Sequence, residues 1–149
     1  AEIERACSHI KNAVVLDVGS GTGLLSLFAA RAGAKKVYAV EANPKMARLT
    51  EAVVAANGMQ DIISVIAGSL EDISLPEQVD MIVSEWMGFY LLHESMLCSV
   101  LTARQRWLKK DGVMIPTWAK LLAAPVSVPQ LWARKVGFWK QADQTFGLN

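Results

Sequence analysis

Val14-Val15-Leu16-Asp17-Val18-Gly19-Ser20-Gly21-Thr22-Gly23 is a short apolar run ending in a glycine-rich turn. Leu24-Leu25-Ser26-Leu27-Phe28-Ala29-Ala30 follows with a helical pattern. Strand, tight turn and helix begin an α/β fold: a Rossmann-like, doubly wound, mostly parallel sheet with ligands at the carboxyl ends of its strands. Gly19, Gly21 and Gly23 let the backbone pass close to a ligand without Cβ clashes. Alone, this turn suits a nucleotide, a dinucleotide or S-adenosylmethionine.

Asp17 narrows the choice. It places a carboxylate two residues before the first glycine, where a dinucleotide puts its pyrophosphate, and like charges repel strongly where screening is poor. A ligand carrying an ammonium and a sulfonium is attracted instead. Leu24 also departs from the Gly/Ala ending of the dinucleotide fingerprint. The alternative is that Asp17 only orders the glycine loop through side-chain hydrogen bonds.

Lys36-Val37-Tyr38-Ala39-Val40-Glu41 reads as a second strand ending in an acid, with Glu41 lying 20 residues past Gly21. At that distance a βαβ unit presents a carboxylate to ribose hydroxyls; a solvated strand-end charge is the bland reading. Asn43-Pro44 starts a helix as cap and first residue, with Met46, Leu49, Val53 and Val54 expected on its inner face and Asn57-Gly58 as its end. Ile62 to Ala67 reads as a strand, followed by Gly68-Ser69-Leu70-Glu71-Asp72. Glu71 there suits an adenine amine and the Leu70 amide a ring nitrogen, or Glu71 is a plain helix-start acid. Val79 to Ser84 reads as a strand that is apolar at its centre, as in parallel sheets. A long helix is expected up to about Leu108, with Leu97, Val100, Leu101 and Leu108 buried. Asp111-Gly112 is expected to turn the chain into a strand over Val113 to Ile115. A second strand over Leu121 to Val126 and a short helix from Pro129 to about Lys140 complete the reading. Residues 1 to 11 suggest the end of a helix, from Ile3, Ala6, Cys7 and Ile10.

The bulk numbers exclude several classes. The 149 residues make one domain's worth of chain. A net charge of +1, from 15 basic and 14 acidic residues, gives no electrostatic case for a nucleic-acid groove. No apolar run approaches membrane-spanning length. Cys7 and Cys98 sit far apart in apolar patterns and read as buried thiols in a reducing compartment. A 52% hydrophobic content and a first residue other than Met lead us to expect further segments covering some of this apolar surface.

Glu85 ends a strand and Glu94 follows nine residues later, across the aromatic-rich Trp86-Met87-Gly88-Phe89-Tyr90. If that turn folds back, two carboxylates converge, which is costly unless a cation arrives or one takes a proton. A guanidinium meets the need with planar, forked donors. Held with one nitrogen toward a sulfonium methyl, it would undergo in-line methyl transfer by positioning, worth about 7–11 kcal/mol. Trp86, Phe89 and Tyr90 would wall the arginine stem. An acid/base pair or a divalent metal competes, but a metal wants more ligands than His93 alone, so no metal site is expected.

These residues carry a resemblance. Val15 to Gly23, Val40-Glu41-Ala42, and Ser84-Glu85-Trp86-Met87-Gly88 running to Glu94-Ser95-Met96-Leu97 resemble the catalytic core of the protein arginine N-methyltransferases. Leu91-Leu92-His93-Glu94 and Gly137-Phe138-Trp139 look most like its sixth branch, a type I enzyme. The resemblance implies transfer of methyl groups from S-adenosyl-L-methionine to protein arginines, leaving S-adenosyl-L-homocysteine. It implies Asp17, Gly19, Gly21, Gly23, Glu41, Ala42, Leu70, Glu71 and Met96 at the cofactor, and Glu85 and Glu94 as the paired catalytic glutamates. It further implies asymmetric dimethylation of basic segments such as histone tails, a homodimeric full-length protein, and a nuclear or cytoplasmic location. Residues 1–116 are then the cofactor domain. Residues 117–149 are the incomplete start of a substrate region, truncated before a C-terminal β-barrel, so these 149 residues alone are expected to turn over little. The competing classes are a nicotinamide-dependent oxidoreductase and a non-catalytic module that binds arginine-rich peptides.

Overall fold

The computed structural model describes residues 10–147. Of the helix expected over residues 1–11, only Ile10 and Lys11 fall among them, and Cys7 lies outside. Strand β1 (Val14–Val18) leads into helix α1 (Leu24–Arg31), β2 (Lys36–Glu41) and α2 (Pro44–Ala56). Then come β3 (Ile63–Ala67), β4 (Val79–Val83), α3 (Met96–Trp107) and β5 (Leu108–Ile115). The five strands form one parallel sheet in the order β3-β2-β1-β4-β5. Strand order therefore reverses between β1 and β4, where such sheets open a ligand crevice.

Strand periodicity explains why β1 is buried at every position. Val15, with Val37 and Ala39 of β2, faces a cluster containing Ala29 and Ala30 of α1 and Val54 of α2. Val14, Leu16 and Val18, with Tyr38 and Val40, face Val100, Ala103 and Trp107 of α3. Helices cover both sides, so neither face of the strand can be polar without a partner. Asp17 is the exception, and the alternation puts it on the α1 side.

The boundaries expected from caps hold. The Asn43 side chain accepts from the Lys45 and Met46 amides, with Pro44 opening α2. Gly33, at φ +95°, takes the left-handed turn after α1.

Helix faces were read less well. On α2 the buried residues are Ala47, Thr50 and Val54, while Leu49 is 45% exposed. On α3 they are Val100, Ala103 and Trp107; Leu101 is exposed and Leu108 already belongs to β5. Ala47, Thr50 and Ala103 are small because helix and sheet approach closely there, which a hydrophobicity pattern does not see; Trp107 is the bulky exception. Cys98, expected to be buried, is exposed.

Asp111-Gly112 is no chain reversal. Val79 pairs with Leu108 and Met81 with Val113, so β5 absorbs these residues as a bulge. Leu121 to Val126 forms no strand, and Leu121, Leu122 and Val126 stand exposed. The helix from Pro129 runs further than expected, through Pro129–Trp132 (α4), a π-helical stretch at Ala133–Gly137, and Phe138–Phe146 (α5).

The corrected α3 face is testable. Trp107→Ala should lower unfolding free energy by about 3–5 kcal/mol, whereas Leu101→Ala should change it by less than about 0.5 kcal/mol. Urea denaturation of the two variants beside the parent checks this.

Candidate functional site

Four loops leave the carboxyl edge of the sheet: residues 19–23 after β1, 42–43 after β2, 68–71 after β3 and 84–95 after β4. Every expected site residue falls on one of them, on the strand end just before, or at the start of α3. The glycine loop is tied down by Gly19 and Ser20 amides donating to the Val40 carbonyl, both at 2.9 Å. Thr50 of α2 donates its hydroxyl to the Gly21 carbonyl at 2.5 Å. Gly19 has φ +71°, and a Cβ there would lie 2.6 Å from Met96 Cε, so the methionine of α3 seats directly on this glycine. A Cβ at Gly21 would meet nothing within 4 Å, which leaves open space over the loop. Gly23 caps α1 in the left-handed conformation.

Asp17 is fully buried beneath this loop. One carboxylate oxygen accepts from the Ser26 hydroxyl at 2.6 Å. The other, Oδ1, has no protein partner among the described residues, and neither does the buried Ser20 Oγ close by in sequence. Burial pushes the Asp17 carboxyl from its ordinary 3.8 up to about 6, against the opposing hydrogen bond from Ser26. A buried acceptor left open is costly, and a cationic donor arriving over the glycine loop would relieve that cost.

Glu41 does the loop-ordering that the alternative reading gave to Asp17. Its oxygens accept from the Gly21 amide at 2.9 Å and the Asn43 amide at 2.8 Å. Each carboxylate oxygen has a second lone pair, so a vicinal diol can still be accepted. Ala42 is exposed beside it.

On the next loop the Leu70 side chain is buried in the α3-side core. The Glu71 carboxylate accepts from the hydroxyls of Ser69 and Ser99, the latter at 2.7 Å. Those hydroxyls, Ser69 first, hold its pKa below the usual value.

Ser84, buried, donates to the Val18 carbonyl at 2.8 Å and ties the end of β4 to the end of β1. Glu85 therefore emerges at the point of strand reversal. The following loop doubles back: the Leu91 amide donates to the Gly88 carbonyl at 2.9 Å, with Tyr90 and Leu91 at positive φ. A Cβ at Gly88 would lie 2.8 Å from Glu94 Cγ, so Glu94 packs against the backbone three residues past Glu85. Both glutamates are exposed, and no side-chain hydrogen bond or ion pair engages either among the described residues. Of the three aromatics expected to form a wall, Trp86 packs partly into the core, while Phe89 and Tyr90 are 76% and 81% exposed. His93 is exposed with its ring edge-on to Phe89, and no metal-binding cluster occurs among the described residues.

Sequence reasoning missed the supporting polar residues: Ser20, Ser26, Thr50, Ser84, Ser99 and Arg106. Only Ser26, nine residues past Asp17 on the adjoining helix, carried a local signal. A cleft of about 500 Å³ lined by Asp80, Lys109, Lys110 and Gly112 opens at the bulge, at the amino-terminal side of β4. It contains none of the expected site residues.

Residues 15–112 match the protein-family model described as "Methyltransferase domain". The chain belongs to this methyltransferase family. Protein arginine N-methyltransferase PRMT10 of Arabidopsis thaliana is 57% identical over 118 residues, 79% of this chain and 30% of that protein. Protein arginine N-methyltransferase 6 of Danio rerio is 51% identical over 140 residues, covering 94% of this chain and 40% of its own length. The Trypanosoma brucei PRMT1 enzyme-prozyme heterotetrameric complex with AdoHcy superposes with a TM-score of 0.85 at 40% identity, covering 93% of this chain and 43% of that one. The chain thus spans about a third of the length of the curated relatives it matches. The parallel sheet and its strand reversal agree with the family, as does the doubly wound fold expected from Val14 to Ala30.

Removing the Asp17 charge should stabilise the fold while disabling the site. The rise from 3.8 to about 6 is about 3 kcal/mol of ionisation cost. Its sign follows from linkage: between those pH values the folded chain keeps a proton that the unfolded chain has lost. Stability is therefore greatest below the lower value and declines as pH rises to about 6. Asp17→Asn should raise stability at neutral pH by about 1–3 kcal/mol and flatten that decline, read by urea denaturation between pH 4 and 8.

Proposed function

We propose that this chain is the donor-binding part of a protein arginine N-methyltransferase, transferring methyl groups from S-adenosyl-L-methionine to arginine side chains. One observation carries the reading furthest. Asp17, Glu41, Glu85 and Glu94 gather at one sheet edge, while the ion pair among the described residues, Lys109 with Asp80, sits at the other. Four carboxylates with no ion-pair partner among the described residues suit a cationic donor and a cationic acceptor. They do not suit a dinucleotide pyrophosphate, which disfavours the oxidoreductase alternative.

The open Asp17 oxygen and the free space over Gly21 fit the donor. On this reading Asp17 takes the ammonium, Glu41 the ribose hydroxyls, and the Leu70 amide with Glu71 the adenine. Met96 sets the depth of the pocket from above Gly19. When bound, the donor supplies an electrophilic methyl carbon on a sulfonium. Glu85 and Glu94 would hold the guanidinium by charge-assisted hydrogen bonds and orient one terminal nitrogen toward the methyl group that the donor supplies. They also favour positive charge on the far nitrogens, which keeps electron density on the attacking one, and the proton it sheds leaves by way of the glutamates. A binding module without catalysis would need the glutamates but not Asp17.

Met96 further supports asymmetric dimethylation, as in type I members, and basic protein segments such as histone tails are the substrates we infer. Residues 117–149 would begin the substrate region, which gives the exposed Trp118, Leu122 and Trp132 a surface to meet. We infer a homodimer for the whole protein and a nuclear or cytoplasmic setting; no helix of the described residues is long and apolar enough to cross a membrane.

In the full-length protein, radiolabelled methyl should appear in methylarginine. Glu94→Gln should lower the rate by about 100-fold, the loss of one strong charge-assisted bond, while S-adenosylhomocysteine affinity persists. Unchanged turnover in that variant would remove the paired-glutamate mechanism. Donor affinity should also fall about tenfold per pH unit below pH 6, as Asp17 protonates and ceases to accept from the ammonium; calorimetry across pH 5–8 measures this, and Asp17→Asn should abolish the dependence.

A further inference from the structure

Residues 85–95 carry both glutamates and hold together as a unit. The Leu91, His93 and Ser95 amides donate to the carbonyls of Gly88, Phe89 and Leu92 at 2.9, 3.1 and 3.3 Å, and Glu94 packs on Gly88. The fastening of its ends decides where that unit sits. Trp86 and Met96 pack partly into the α3-side core, by apolar contacts that have no directional preference. The directional tie is Ser84. Its amide donates to the Ile115 carbonyl of β5 at 3.0 Å, and its buried hydroxyl donates to the Val18 carbonyl of β1 at 2.8 Å. Paired residues of β1 and β4 end at Asp17 with Val83. The hydroxyl therefore joins the two strands where their ladder has stopped, on the peptide that opens the glycine loop. Ser84 and Val18 lie 66 residues apart in sequence.

The glycine loop has fastenings of its own. Gly19 and Ser20 amides donate to the Val40 carbonyl, the Gly21 amide donates to Glu41, and Thr50 donates to the Gly21 carbonyl. All of these run to β2 and α2, and none reaches β4. We propose that Ser84 is a positioning residue for methyl transfer: its hydroxyl fixes the start of the glutamate loop against the glycine loop and so sets the alignment of acceptor with donor. The inference rests on the reading above, in which the glycine loop binds the donor and Glu85 and Glu94 hold the guanidinium. Methyl transfer makes one N–C bond as one C–S bond breaks, with the electron pair returning to sulfur and one proton leaving the nitrogen. Its rate falls steeply with misplacement of the partners, by about 100-fold for a shift of about 1 Å. Loss of the hydroxyl leaves the contacts within each half of the site in place and frees the placement of one half against the other, so turnover suffers more than binding.

The test is steady-state kinetics of the full-length protein with S-adenosylmethionine and a histone-tail peptide, beside calorimetry with S-adenosylhomocysteine and thermal unfolding. Ser84→Ala should lower kcat by about 10–100-fold while both KM values and S-adenosylhomocysteine affinity stay within about twofold of the parent. Ser84→Thr, which keeps the hydroxyl, should bring kcat back to within about threefold of the parent. An unchanged kcat in Ser84→Ala, or a Ser84→Thr protein no faster than Ser84→Ala, overturns the inference alone. So does a Ser84→Ala protein that fails to fold, or that loses affinity in step with turnover, because the tie then serves the sheet and not the alignment. A parent that transfers no methyl group to arginine overturns the proposed function and the inference with it.

Discussion

A carboxylate buried in the middle of the sheet is the constraint from which the rest of the site follows. Asp17 occupies a position of β1 whose neighbours are all apolar, and it has one hydrogen bond where an ionised group wants several. Such a residue is a net cost to folding. One of its oxygens has no partner among the described residues, and the glycine loop that follows leaves open space at Gly21.

The loops around it divide the work differently from the way isolated residues suggest. Glu41 orders the glycine turn through the Gly21 and Asn43 amides while keeping lone pairs for a diol. Asp17, which sequence reasoning allowed as the loop-ordering residue, is left free to meet charge. Ser84 locks the ends of β1 and β4 together, so the loop bearing both glutamates starts at the strand reversal. Helix α3 then closes the arrangement by reaching the glycine loop with Met96 and the Glu71 loop with Ser99 and Arg106.

The relation to the arginine methyltransferases and the geometry meet at the same edge. The matched stretches make up 30% and 40% of the length of the Arabidopsis and Danio relatives. On the function proposed above, that acidic edge is where a cationic donor and a cationic acceptor would meet. The cleft between Asp80 and the β5 bulge sits at the amino-terminal side of its strand, away from the loops.

Local chemistry made β1, β2, α1 and α2 legible before any coordinates. A β-branched run, glycines at the left-handed positions of the first turn and an Asn-Pro cap each act within a few residues. The same locality made Asp17, Glu41 and the Glu85/Glu94 spacing readable as site candidates. What failed were features set by distant partners. The inner faces of α2 and α3 include Ala47, Thr50 and Ala103, small residues where the sheet lies close, beside the bulky Trp107. Leu121 to Val126 has strand-like composition but gains no neighbouring strand to pair with. Ser99 and Arg106 became visible only when packing carried α3 across the loop after β3. Sequence alone determined which backbone each short segment prefers and which charges stand at its ends. Tertiary structure decided which of those charges share a boundary and which remain unpaired, because hydrogen bonds and burial depend on separation in space, and the chain brings together residues that its order keeps apart.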